Sequence, residues 1–271
     1  MKWRNGAILG LVSMLALGAV AKAETTGESS LTSCKVLRVT GNPSYPPALW
    51  VSRKNNDKLV GLAVEFLEQV LLPTGIEVNA INSDTWARAQ VQARSGAVDM
   101  LAGAFITDER KTYMDYVDPP FMIMPSVVWV RKGAEFPYQA WEDLQSRHGV
   151  TLIDNSFGQE FDDFSAKHLK MMGVRSAEQI FQLLSARRVD YGLYELYQGK
   201  SMGQVSDILD GITYLEPPIS SEGLYFTLSK SSPCRTQALL LYLNERVKTL
   251  SESGLAEKLA EKYLDAWREG V

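Results

Sequence analysis

Few side chains in this sequence could carry catalysis. It has two histidines, His148 and His168, and two cysteines, Cys34 and Cys234. Neither histidine has a cysteine or carboxylate at metal-ligand spacing, so no metal site is expected. No HExxH, GxSxG or Walker phosphate loop occurs. Glu142-Asp143 and Asp162-Asp163 are adjacent pairs. Helix neighbours point in different directions, so neither pair makes an acid–base dyad and both read as solvated charge. No cofactor is implied. What remains is recognition chemistry, and two loops are suited to it: Asn42–Pro47, dense in turn formers, and Gly103–Arg110, which ends on an arginine.

The surrounding elements place those loops. Lys35 to Thr40 alternates and is β-branched, which predicts a strand. Leu59 to Leu72 carries apolar residues at helical spacing, stopped by Pro73-Thr74-Gly75. Ile76–Ile81 reads as a strand, Thr85–Ser95 as a helix ended by Gly96, and Val98–Ala102 as a strand. Thr107-Asp108-Glu109-Arg110 opens a helical turn. A second alternating block follows. Its strands are expected at Ser126–Arg131, Val150–Asp154, Asp190–Tyr194 and Leu224–Leu228. Its helices are expected at Trp141–Leu144, Glu160–Leu169 and Ser176–Ala186. Thr236–Ser251 and Leu255–Trp267 close the chain as helices, the latter with an apolar stripe that predicts core packing. Such alternation predicts an open α/β sheet, with ligands on loops beyond the carboxyl ends of strands.

The first residues indicate the compartment. Lys2 and Arg4 precede an uncharged apolar run, Ala7 to Ala21, and Ala21-Lys22-Ala23 supplies small residues at a cleavage site. This is the pattern of a secretory signal over residues 1–23. A bilayer core needs about 20 apolar residues, so the run is too short to span. Leu31-Thr32-Ser33-Cys34 has the look of a lipoprotein site, but Glu24–Ser30 separates it from the apolar run. Removing Lys2, Arg4 and Lys22 takes the formal net charge from −4 to −7. An acidic exported chain is not expected to bind nucleic acid or anionic membrane. In an oxidising compartment, Cys34 and Cys234 read as a disulfide, the alternative being two buried thiols.

Five segments together resemble the bacterial extracellular solute-binding proteins, family 3, which feed ABC importers for polar amino acids. They are Tyr45-Pro46-Pro47 after a first strand, Gly61 to Glu65 opening a helix, Gly96-Ala97-Val98-Asp99 before a strand, Ala102 to Arg110 with Tyr116 to Phe121, and Arg188-Val189-Asp190. The resemblance covers almost the whole chain after the signal. It implies a type II periplasmic binding protein fold: two α/β lobes joined by a two-strand hinge. Residues 24–121 and 224–271 would form the first lobe, and 122–223 the inserted second. It further implies a monomer that takes a small-molecule ligand, an amino acid or related carboxylate, and hands it to an ABC permease.

The resemblance also assigns roles. Arg110 matches the arginine that forks onto a ligand carboxylate through parallel charge-assisted bonds. Gly103 fits a backbone in close approach to the ligand. Tyr45 and Trp86 match the walls that sandwich it, with Trp50 added to them and Arg88 as a second cation. Asn155 and Ser156 match the loop that hydrogen-bonds the carboxylate on closure, and Glu195 the acid that meets an ammonium. Three positions depart from the pattern. Phe105 stands where relatives carry a hydroxyl, Glu195 is one methylene longer than aspartate, and Asn42 is neutral where an acid is common. These departures leave room for a larger, more aromatic or less charged ligand.

Two other functions fit the same residues. Cyclohexadienyl dehydratase resembles these proteins, and Glu195, buried on closure, could serve as its general acid. A sensor that presents its closed form to a receptor has the same requirements as an importer component.

Overall fold

Val36–Thr40 forms strand β1, and its alternation buries Leu37 and Val39. The computed structural model describes Met1 and residues 31–52, 54, 58–204 and 206–270. Apart from Met1, the expected signal and its cleavage site therefore lie outside the described residues. Three short strands follow β1: β2 (Ser44–Tyr45), β3 (Leu49–Ser52) and β4 (Lys58–Val60). They pair antiparallel into a small separate sheet. Helix α1 (Leu62–Leu71) buries Leu62, Phe66, Leu67, Val70 and Leu71, the residues set at helical spacing. Pro73 sits in the 3₁₀ turn that ends it, and Gly75 takes a left-handed φ of 69°.

The first block continues through β5 (Glu77–Ala80), α2 (Trp86–Ser95), β6 (Met100–Ala104), α3 (Asp108–Tyr113) and β7 (Met114–Tyr116). Thr85 caps α2 by accepting from the Arg88 N–H, and Thr107 caps α3 by accepting from the Arg110 N–H. Strand β8 (Met122–Arg131) leads to a second block. This contains β9 (His148–Leu152), α4 (Gln159–His168), β10 (Lys170–Val174), α5 (Ala177–Ser185), β11 (Tyr191–Glu195) and α6 (Leu196–Gly203). The return strand β12 (Ile212–Ser229) is followed by α7 (Gln237–Glu252) and α8 (Leu255–Arg268), both packed on α1.

The large sheet runs in the order β10-β9-β11-β8-β12-β6-β1-β5, with β7 also on β12. Strands β5, β1 and β6 are parallel, as are β10, β9 and β11. Strand β12 joins the two blocks. It pairs with β8 from Ile212↔Arg131 to Leu224↔Met122, then with β6 and β7 from Tyr225 onward. Its register on β8 slips between Leu215 and Ser220. Pro217 and Pro218 lie in that stretch and have no N–H to give the ladder.

Two devices tie the first block together. Cys34 and Cys234 are bonded, with their Cα atoms 5.4 Å apart across 200 residues of sequence. Asp99, fully buried, pairs with Arg38 at 2.8 Å and accepts from the Arg38 N–H and the Ser232 hydroxyl. The aspartate of the Gly96–Asp99 segment is thus a structural anchor. Among the described residues, no helix is long and apolar enough to cross a membrane.

Candidate functional site

The loops after β1 and β6 meet the loop after β9 and the end of β11. Asn42, Tyr45, Trp86, Gly103, Phe105, Arg110, Asn155 and Glu195 line one cavity there, with Leu49 and Leu224. Eight of the ten residues expected at the site are thereby brought together from both blocks. The free volume between them is about 20 Å³, the room of one water molecule. The two blocks are closed on each other.

Arg110 is the centre of the first wall. It lies in α3 and is 4% exposed. Its Nε donates to Gln90 Oε1 at 3.0 Å, Nη1 to the Phe105 carbonyl at 3.2 Å and Nη2 to the Asp154 carbonyl at 2.9 Å. The guanidinium also stands 5.2 Å from the Trp86 ring. Its nearest sequence acids are engaged elsewhere: Asp108 pairs with Lys111 and Glu109 with Arg94. Among the described residues, no carboxylate forms an ion pair with Arg110. A buried guanidinium bonded only to neutral groups can still receive an anion.

Glu195 is the acid of the second wall. It ends β11, stands just before α6 without a side-chain capping bond, and is 1% exposed. Its Oε1 accepts from Asn155 Nδ2 at 3.4 Å, and its Oε2 has no partner among the described residues. Burial pushes the carboxyl up to about 7, against the lowering pull of its own backbone N–H, Asn155, the Tyr45 hydroxyl and Arg110. Burial likewise raises the Tyr45 phenol well above its ordinary value, and the neighbouring Glu195 adds to the rise. The unpartnered oxygen is a place for a donor.

Trp50 and Ser156 are placed elsewhere. Trp50 sits edge-on to Tyr263 and Trp267, at 5.8 and 5.6 Å, and joins β3 to α8. The Ser156 hydroxyl donates to the Asp162 carboxylate and accepts from the Gly158 N–H at 3.2 Å. Asp162 also accepts from the Phe157 N–H at 2.9 Å, and burial raises its carboxyl. It shapes the Asn155–Gly158 loop, a correction to its reading as solvated charge. Arg88 pairs with exposed Asp84 at 2.7 Å and lines a neighbouring hollow.

Gln90 was not anticipated. It is 7% exposed, accepts from Arg110, and donates to the Asp154 carbonyl at 3.1 Å. The signal for it was present: Trp86, Ala89, Gln90 and Ala93 form the buried face of α2, and a glutamine is the odd member. Ser126 and Ser220 stand in register with Glu195 across three strands, and their hydroxyls are buried without partners among the described residues. No sequence pattern marks them. Among the described residues, no group of three His, Cys, Asp or Glu side chains could hold a metal ion.

Residues 37–266 match the family described as bacterial extracellular solute-binding proteins, family 3. A curated relative from Neisseria gonorrhoeae, named "Probable histidine-binding protein", is 24% identical over 276 residues, covering 97% of this chain and 95% of the relative. Among solved structures, the P235GK mutant of ArgBP from T. maritima superposes with a TM-score of 0.70 at 21% identity, over 85% of this chain and 96% of its own. An ancestral arginine-binding protein bound to arginine gives 0.70 at 22%, over 84% and 98%. A histidine kinase sensor domain with similarity to periplasmic binding proteins gives 0.71 at 20%, over 85% and 96%. The fold is that of the type II periplasmic binding proteins. With the family matched across nearly all of the described chain, this protein belongs to the bacterial extracellular solute-binding proteins, family 3.

Proposed function

We propose that the protein is a periplasmic component of an ABC importer that captures an amino acid or a close carboxylate derivative between two closing lobes. In this reading the described residues of 24–121 and 224–271 make up the first lobe, and those of 122–223 the second. The observation that carries this reading is Arg110, buried and, among the described residues, without an ion-pair partner, sharing one cavity with Glu195. A cation at one end and a carboxylate at the other select a zwitterion. The export pattern at residues 1–23 supplies the compartment. The names of the relatives, which refer to histidine and arginine, support an amino acid as the ligand class. With room for about one water between the walls, the lobes must part to admit a ligand and close after it.

Thermal unfolding against amino acids, small carboxylates, amines and sugars tests the reading. A ligand at a thousand times its Kd adds about 4 kcal/mol to stability. Arg110→Ala is expected to abolish the response to carboxylate ligands, since losing one partner of a buried charge pair costs about 2–5 kcal/mol. Unchanged binding by that variant, or responses only to ligands without a carboxylate, refutes it.

A further inference from the structure

Trp86 Nε1, Gln90 Nε2 and Arg110 Nη2 all donate to one main-chain oxygen, that of Asp154, at 3.1, 3.1 and 2.9 Å. The donors belong to the first block and the acceptor to the second. A carbonyl oxygen has two lone pairs, so three donors exceed what it accepts in good geometry. A carboxylate, with two oxygens and about four lone-pair sites, matches them. The donors are fixed in place. All three side chains are buried, Gln90 Oε1 also holds Arg110 Nε at 3.0 Å, and the guanidinium stacks on Trp86. Asp154 pays for its position with a left-handed φ of 58°, a region a non-glycine residue seldom enters.

The geometry points to a built-in substitute for the ligand: the Asp154 carbonyl occupies a carboxylate cradle made by Trp86, Gln90 and Arg110, and so clamps the two blocks together. The ligand's carboxylate displaces it and takes over the same donors. Trp86 and Gln90 thereby become ligand-binding groups beside Arg110. The clamped population lowers the apparent affinity by the fraction of protein that is open. The carboxylate step rests on the amino-acid reading; the clamp does not.

Distance measurement between spin labels tests the clamp without any ligand. Labels go on cysteines introduced at Val91 and Lys170, exposed positions on α2 and β10, in protein stripped of ligand by unfolding and refolding. The native-sequence pair is expected to give a short, narrow distribution. Gln90→Glu keeps the acceptor for Arg110 Nε but turns a carboxylate oxygen toward the Asp154 carbonyl, and should move most of the population to longer distances. Trp86→Phe, which keeps a ring and loses the N–H, should move it the same way and serves if Gln90→Glu does not fold. Identical distributions in the native sequence and the folded variants, or a native-sequence protein already open, overturn the clamp. Thermal shifts with each of the twenty L-amino acids and its carboxamide test the displacement. An acid should act at concentrations at least tenfold below its amide, and equal potency overturns the carboxylate step. If neither class acts, the amino-acid reading falls while the distances still decide the clamp.

Discussion

At the residue scale, Glu195 makes stability depend on pH. Its carboxyl rises from the ordinary 4.5 to about 7 on burial, so the folded chain keeps a proton that the unfolded chain has released. The contribution is fully present below about pH 4.5 and is lost as the pH rises through about 7. The gap corresponds to about 3 kcal/mol. Glu195→Gln should remove this decline and be more stable than the native sequence at pH 8. Urea unfolding of both proteins across pH 4.5 to 8 checks it, and parallel curves would count against the assignment. Much of the candidate site was legible at this scale through the family resemblance, whose marked segments hold Arg110 at the end of Ala102–Arg110 and Tyr45 before two prolines. Gln90 was overlooked because a polar residue in a helix reads as surface, although its place on the apolar face of α2 marked it. Trp50 was legible as an aromatic but not as a wall or a core residue, since both roles require the same side chain.

At the element scale, α6 shows how packing overrides propensity. Gly199 is buried in this helix, and a Cβ there would lie 2.3 Å from Trp129 Cζ2. Trp129 cannot yield easily: it is 1% exposed and its Nε1 donates to the Tyr194 carbonyl at 3.1 Å. Alanine gains about 1 kcal/mol of helix propensity over glycine. Overpacking costs about 1–3 kcal/mol. Gly199→Ala should therefore be less stable than the native sequence, as a lower urea midpoint with an unchanged slope. The same helix was not anticipated, because its two glycines and short length conceal any apolar period. Strand β10 was missed for a related reason: Lys170–Val174 has one β-branched residue and a glycine, and its place at the sheet edge demands little more. The first half of β12 was hidden by Pro217 and Pro218, which signal a break in any local reading. By contrast α1 and α2 lie within a few residues of their expected bounds, since both have clear stop signals at Pro73 and Gly96.

At the scale of the whole molecule, the disulfide constrains the unfolded chain most. It closes a loop of 200 residues, and the chain-entropy model assigns such a bridge about 5 kcal/mol. Replacing both cysteines by serine should lower the thermal midpoint, and adding reductant to the native protein should give the same fall. Equal midpoints would mean that the bond is not formed in solution. The pairing was legible from cysteine count and compartment. The division of the sheet between two blocks was expected from the family resemblance and not from any local pattern, because it depends on a strand that leaves one block and ends in the other. That crossing has a further consequence. Met122 and Leu224 are register partners on β8 and β12, so the second block enters and leaves through a single narrow neck. To the first block, everything between those two residues is one long excursion whose ends already touch. Such a cassette can be lengthened, shortened or exchanged in evolution without disturbing the sheet that hosts it, and new cargo can be accommodated by rewriting one wall of the cleft while the other stands unchanged.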